Sequence, residues 1–306
     1  MKRHKQNTFI FWLFLSPVLF AFVIVIVIPF FLGIFYSFTN WSSSARANSV
    51  LTFIGLKNFD RIFRDPSFLY SFLVTTVYTV LNVVTINVVA LLLAVVVTTK
   101  LKLRNLYRVG FFIPNLIGGL VLGYVWRFIF NNAIPALGDV IPLLSGFANA
   151  NNLILGKVNS SVMALVLVGT WQYAGYIMMI YIAAIEGVPE SLIEAATIDG
   201  ANSFQRFMSI TVPMVAQAFT ITTFLTLVQS FKQFDINVSL TAGGPSTMFM
   251  GKPIFGTELL SLNIYNTAFI ANNLAEGQAK AVIFFIVLVI VSIIQVTVNK
   301  KKEVEM

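Results

Sequence analysis

Six apolar stretches, each close to or beyond the length that crosses a lipid bilayer, leave this chain almost no choice of environment. They run over about residues 9–38, 68–99, 109–130, 162–185, 214–234 and 281–298. A helix rises 1.5 Å per residue, so about 20 residues cross a hydrocarbon core about 30 Å thick. Lipid offers no partner to a backbone N–H or C=O, and stretches of this kind therefore close their hydrogen bonds internally as helices. The expected fold is all-α: a polytopic membrane protein with six transmembrane helices in a single domain over residues 1–306. With 58% hydrophobic and only 10% charged residues, a soluble globular fold is excluded.

The spans differ in ways that predict their shapes. The first carries Pro17 and Pro29, where kinks are expected, and it lacks a small-residue cleavage site, so it is expected to stay as an anchor. The second would be roughly 48 Å long as a continuous helix, which calls for tilt or an extension into water. Between them, Leu56, Phe59, Ile62 and Phe63 fall at helical spacing opposite Lys57, Asp60, Arg61 and Arg64, the pattern of a short interfacial helix. Residues 131–160, with Pro135, Gly138, Pro142, Gly146 and Gly156, read as an irregular outer loop with room for short helical pieces, and residues 235–278 as an outer loop.

The net charge of +8 sits in short clusters beside the spans, an arrangement that sets topology rather than binding nucleic acid. Lys2, Arg3 and Lys5 precede the first span; Lys100, Lys102, Arg104 and Arg108 follow the second; Arg206 lies between the fourth and fifth; Lys300, Lys301 and Lys302 close the chain. The opposite side holds Arg46, Lys57, Arg61, Arg64, Lys157 and Lys252. This bias places both termini in the cytoplasm.

Catalytic chemistry finds no foothold. Cysteine is absent and His4 is the only histidine, so thiol catalysis and His/Cys metal sites are excluded. The fragment Leu153–Val158 lacks both the first Gly and the hydroxyl of a phosphate-cradling loop. Energy for uphill transport would have to come from another subunit. No acidic or basic residue is expected deep in a span, which argues against proton or sodium coupling and against a charged cargo.

Polar residues inside the spans are ordered. Thr222, Thr226, Gln229, Ser230 and Gln233 share one face of the fifth span. Unsatisfied amides facing lipid would cost several kcal/mol each, so the stripe faces either a water-filled cavity or a partner helix; the first reading is preferred because two Gln exceed what packing needs, and interhelical hydrogen bonding is the alternative. The fourth span adds Trp171, Gln172, Tyr173 and Tyr176, and the second adds Asn82 and Asn87. Phenols beside amides suit a sugar, with its apolar C–H faces and rim of hydroxyls. An interfacial aromatic belt is the alternative for Trp171 and Tyr173.

The stretch Glu194–Pro213, EAATIDGANSFQRFMSITVP, is a polar interruption that the spans do not explain. It lies in a loop over about residues 186–213 and reads as helix, turn at Gly200, helix. Its pattern of Glu-Ala-Ala, Gly and a later Ile and Pro resembles the coupling loop of binding-protein-dependent ABC importer permeases. FLSPVLFAFVIVIVIPFFLGIFYSFTNW, FIGLKNFDRIFRDPSFLYSFLVTTVYT, FFIPNLIGGLVLGYVWRFIFN and LTAGGPST resemble further recurring stretches of the maltose and raffinose type, in particular the maltose-F-like member of the permease pair. The resemblance implies the type I ABC importer permease fold, in a multi-pass protein of the bacterial plasma membrane. It implies as partners a second, non-identical permease, two ATP-binding cassette subunits and an extracellular solute-binding protein. No cofactor is expected in this chain, since ATP and Mg would be held by the ATPases. By the same resemblance Glu194, Ala195, Ala196, Asp199, Gly200, Ala201, Ile210 and Pro213 would couple to the ATPase, and Gln172, Tyr173, Tyr176, Thr226, Gln229, Ser230 and Gln233 would line the substrate path. Val212 stands where the motif usually has Leu. The expected cargo is a neutral di- or oligosaccharide; another neutral solute such as a glycerophosphodiester, or an ATPase-independent carrier, is the alternative.

Overall fold

The structure, a computed structural model, describes residues 2–42, 50–99, 101–141, 149 and 151–300, with side chains from residue 10 onward. Arg46, Lys100, Pro142, Gly146, Lys301 and Lys302, and the side chains of Lys2, Arg3, His4 and Lys5, on which part of the topology reading rests, lie outside the described residues. Five helical segments among the described residues are long and apolar enough to cross a bilayer: Ile10–Ser37, Pro66–Thr98, Gly119–Val140, Val158–Glu186 and Leu274–Lys300. Ser203–Met214 and Ala216–Phe231, bent by 67° to each other, make a sixth if taken as one broken span. The chain divides into two compact units, residues 1–65 with 264–285 and residues 66–263 with 286–306.

In the first unit the helix Lys2–Phe22 runs through Pro17, passes a π-helical turn at Val23–Val27 and continues as Ile28–Ser37. The π turn lies immediately before Pro29, whose missing N–H leaves the ladder one donor short there. The short helix Lys57–Arg64 forms as expected, but its apolar side is divided. Ile62 is fully buried and Phe59 packs on Phe38 at 5.3 Å, whereas Leu56 and Phe63 are exposed. Asn58 turns inward instead, and its amide donates to the carbonyls of Ser37 (2.8 Å) and Thr39 (2.9 Å). These are orphan acceptors at the end of the first span, so the buried amide is satisfied and the helix is pinned at that level.

The final helix begins at Leu274, well before the expected 281. Lys280 is thereby placed inside it, 2% exposed. Its ammonium meets Asp65 at 3.2 Å, Glu276 at 3.8 Å and the Thr267 hydroxyl at 2.8 Å. A charge can sit in the early turns of this helix because it is paired and hydrogen-bonded.

In the second unit Pro66–Thr98 and Val158–Glu186 pack side by side. Tyr78, Leu165, Val168, Leu240 and Leu259 form one core, and Ile86, Ile177, Met178, Tyr181 and Val215 another. Gly175 lets the backbone at Phe111 press against Val158–Glu186; a Cβ there would overlap the Phe111 carbonyl oxygen.

The third span departs from the expected 109–130. A helix over Arg104–Phe112 ends in a 3-10 turn at Ile113–Leu116, and Ile117 and Gly118 are extended before Gly119–Phe128 begins. Pro114 removes an N–H and the chain then reopens at Gly118 and Gly119, so the helix cannot propagate through. Helical structure continues through Ile129–Ala133 and Ile134–Val140, so Pro135 and Gly138 lie in one of the short helical pieces for which the expected outer loop left room.

The fifth span is also broken. Ala216–Phe231 alone is about 24 Å long, short of a full crossing, and the bend at Val215 follows Pro213. The expected outer loop over 235–278 is structured: Ser246–Phe249 and Lys252–Phe255 pair as an antiparallel hairpin with Thr247 opposite Ile254. Met250 and Gly251 take positive φ at its tip, the geometry of a two-residue hairpin turn.

Candidate functional site

Two groups of residues were expected to carry function, and the structure places them in different surroundings. The loop is built as its sequence suggests. Glu190–Ile198 is a helix that Pro189 precedes at the N-cap. It ends with the Gly200 N–H donating to the Thr197 carbonyl (3.1 Å) and the Ala201 N–H to the Ala196 carbonyl (2.9 Å). That pair of bonds is a Schellman motif, with Gly200 at φ +81° in the position that glycine fills without strain. Asn202 then caps Ser203–Arg206: its side chain accepts from the Gln205 N–H (2.9 Å) and the Gln205 side chain accepts from the Asn202 N–H (2.8 Å). Arg206 reaches back to the Thr197 hydroxyl (3.0 Å) and the Ala201 carbonyl (3.2 Å), fastening the two helices.

Glu194, Ala195, Asp199 and Gly200 are exposed on this loop, and Ala196 and Ala201 are half-buried. Ile210 lies in a π turn at Phe207–Thr211 and Pro213 in Val212–Met214, both half-buried. The pattern did not single out Ile198 and Phe204, which flank the turn and are 87% and 68% exposed.

The polar stripe divides. The Thr222 hydroxyl donates to the Tyr181 hydroxyl (2.7 Å), which donates to the Asn87 carbonyl oxygen (2.8 Å); the Asn87 amide donates to Thr226 Oγ1 (2.9 Å), and Thr226 returns to the Thr222 backbone carbonyl (2.8 Å). The ring joins the second, fourth and fifth spans. One turn on, the Asn82 amide donates to Ser230 Oγ at 2.8 Å. Thr226 and Ser230 are 2% and 1% exposed. For these residues the geometry is that of interhelical hydrogen bonding, the alternative reading of the stripe, and it does not place them on an open path. Asn87→Leu, which removes the hydrogen bonds to Tyr181 and Thr226, should cost about 1–2 kcal/mol, read as an earlier unfolding midpoint of the chain in mixed detergent.

The larger amides go elsewhere. Gln172, Tyr173, Gln229 and Gln233 line a polar cavity of about 120 Å³ together with Gly119 and, at its edge, Lys232 and Asp235. The Gln229 amide donates to the Tyr173 hydroxyl. Gln172 donates to the Ile117 carbonyl at 2.9 Å, an acceptor released by the break in the third span. The Gln233 side chain has no protein hydrogen-bond partner among the described residues, although the residue is only 4% exposed. Lys232 and Asp235 contribute one charge of each sign. Tyr176 is separate: it lines an apolar cavity of about 550 Å³ with Phe112, Ile113, Leu116 and Met179, beside Arg108. Arg108 in turn forms an ion pair with Glu186 at the end of the fourth span. The sequence signal for the cavity wall was Pro114 with Gly118 and Gly119, which announces a break but not what fills it.

Comparisons with known proteins bear on the family and the fold. A family model described as "Binding-protein-dependent transport system inner membrane component" matches residues 66–304. The "Probable starch degradation products transport system permease protein AmyD" of Thermoanaerobacterium thermosulfurigenes is 46% identical over 303 residues, 98% of this chain and 97% of that protein. The "Multiple sugar-binding transport system permease protein MsmF" of Streptococcus mutans is 30% identical over 302 residues, covering 99% of each. Among solved structures, a chain of a bacterial ABC transporter involved in the import of the acidic polysaccharide alginate matches with a TM-score of 0.78 at 17% identity, covering 98% of both chains. At that identity the likeness concerns the fold.

Proposed function

The chain belongs to the family of binding-protein-dependent transport system inner membrane components, multi-pass transport permeases rather than enzymes, and from that premise we propose that it carries a neutral oligosaccharide through the membrane as part of an ATP-driven importer. Its partners in this reading are a second, non-identical permease, two ATP-binding cassette subunits that hold ATP and Mg, and an extracellular solute-binding protein that delivers the sugar; both termini face the cytoplasm. The two sugar-system permeases it resembles over nearly their whole length support the cargo class. Ile198 and Phe204, held outward around a rigid turn, support a protein partner on the 186–213 loop. Movement of the ATPases would reach the fifth span through Ser203–Met214, which the bend at Val215 joins to Ala216–Phe231.

The observation that carries the cargo assignment is Gln233, a residue 4% exposed that lines a polar cavity and whose amide has no protein partner among the described residues. Such a group costs free energy unless water or a solute pairs with it. Around it stand only neutral donors and acceptors apart from the offsetting Lys232 and Asp235, which suits hydroxyls better than a phosphate. Uptake of labelled disaccharides to tetrasaccharides, in cells lacking the gene and re-supplied with the wild type or Gln229→Leu, tests this. The wild type should restore one sugar class. Gln229→Leu should lower its uptake about tenfold, since each hydrogen bond removed is worth about 1 kcal/mol and Tyr173 loses its partner as well, while ATPase subunits still co-purify. Unchanged uptake of every sugar in the variant would return the cavity to a packing role.

A further inference from the structure

The first unit contains a second polar cavity, of about 400 Å³, lined by Asn40, Ser42, Lys57, Arg61 and Asn273 among others. Its level is set by the chain around it. Asn58 binds the last carbonyls of the first-span helix, and the strand-like pairing of Thr39 with Phe53 holds the following segment at the same end. Asn273 immediately precedes the final helix, Leu274–Lys300, and the Ala275 N–H donates to the Trp41 carbonyl at 2.9 Å. The cavity therefore sits where two membrane-crossing helices meet their ends, which is the boundary between hydrocarbon and water.

Its charge is uncompensated. The acids of this unit are engaged: Asp60 pairs with Arg64 at 2.8 Å, and Asp65 and Glu276 both face Lys280. Lys57 and Arg61, one turn apart on the same face, have no ion-pair or hydrogen-bond partner among the described residues. The amides are mostly taken up within the protein, Asn40 on Val50 and Thr52 and Asn273 on Glu276, so the two cations dominate what the cavity offers. Beside them Val50, Phe53, Leu56 and Phe63 are exposed apolar residues. Two bases on a short helix, with exposed apolar side chains on that helix at Phe63 and on the segment leading into it at Val50, Phe53 and Leu56, match a lipid at a membrane boundary better than the polar rim of a soluble protein.

We propose that this cavity seats the phosphodiester headgroup of an anionic phospholipid, with Lys57 and Arg61 on the phosphate and the neighbouring exposed apolar residues against its acyl chains. The two cations lie i and i+4 on one helix face, a spacing at which their side chains can converge on one anion. The bound lipid would fasten the segment between the first and second spans to the bilayer.

The test uses the assembled transporter, delipidated and placed in nanodiscs of mixed phosphatidylglycerol and phosphatidylcholine, with the lipid retained on re-extraction measured by mass spectrometry. The wild type should retain phosphatidylglycerol preferentially. K57Q/R61Q should lose about thirtyfold of that preference, as expected for two bases at a membrane surface, while R64Q, on the same helix but paired with Asp60, should behave as wild type. Equal retention of both lipids by the wild type overturns the proposal, and this comparison decides alone if the double variant assembles poorly. An undiminished preference in K57Q/R61Q also overturns it. So does release of the lipid by soluble glycerophosphoglycerol at matched phosphate concentration, which would make the site one for a free phosphodiester.

Discussion

A chain carrying Gly200→Asp is expected to reach the membrane in wild-type amount and to lose ATP-driven uptake. Gly200 closes the helix Glu190–Ile198 at φ +81°, and no atom lies within 4 Å of where its Cβ would stand. The folded chain thus bears only the backbone cost of a left-handed residue, about 1 kcal/mol and less for Asp than for most side chains. The Schellman bonds and the Asn202 capping box around it leave that space open. A partner docked over Ile198 and Phe204 meets a new carboxylate in the middle of the contact. An unpaired charge in an interface costs several kcal/mol, and each 1.4 kcal/mol is tenfold, so uptake should fall by at least about tenfold together with co-purification of the ATPase. Gly200→Asn separates the causes, because Asn shares the tolerance for positive φ without the charge; it should retain most uptake. Normal transport by Gly200→Asp would remove the docking role from this loop.

Lys280→Met should be the most destabilising single change in the first unit. The ammonium is almost fully buried and is the shared partner of Asp65 and Glu276. Removing it takes the shared cation from the Asp65 and Glu276 carboxylates, and breaking a buried pair costs about 3–5 kcal/mol. The lower end applies, since Asp65 keeps 31% of its side chain exposed. The effect should appear as a lower thermal unfolding midpoint of the purified chain. Adding Asp65→Asn and Glu276→Gln to Lys280→Met removes the stranded charges and should recover most of the midpoint. If the triple variant unfolds as early as the single one, the stability comes from the packing of the lysine stem instead.

These two positions illustrate how unevenly function was written along the chain. The Gly200 turn was legible because everything that makes it is local: the helix that ends there, the glycine at its C′ position and the Asn202–Gln205 box lie within consecutive residues. The same holds for the apolar spans, whose length alone forces helices in lipid. The start of the final helix was placed late because hydropathy scores Lys280 as a span end, whereas Asp65, distant in sequence, joins Glu276 and Thr267 in making its burial tolerable.

The face of the fifth span illustrates the division most clearly. Spacing correctly put Thr222, Thr226, Gln229 and Ser230 on one side of the helix Ala216–Phe231, since a helical period needs no knowledge of neighbours, whereas Gln233, expected on the same face, lies two residues beyond the helix end. What lies opposite depends on how helices from remote parts of the chain pack. Asn82, Asn87 and Tyr181 take the hydroxyls into interhelical bonds, while the broken third span, whose Ile117 carbonyl takes up Gln172, leaves Gln229 and Gln233 beside a cavity. Membrane insertion, helix content and the Gly200 turn follow from short-range chemistry and were set by residue order alone. Which polar groups are consumed in packing and which are left lining a cavity was settled by tertiary structure, because a hydrogen bond is used up only when its partner arrives.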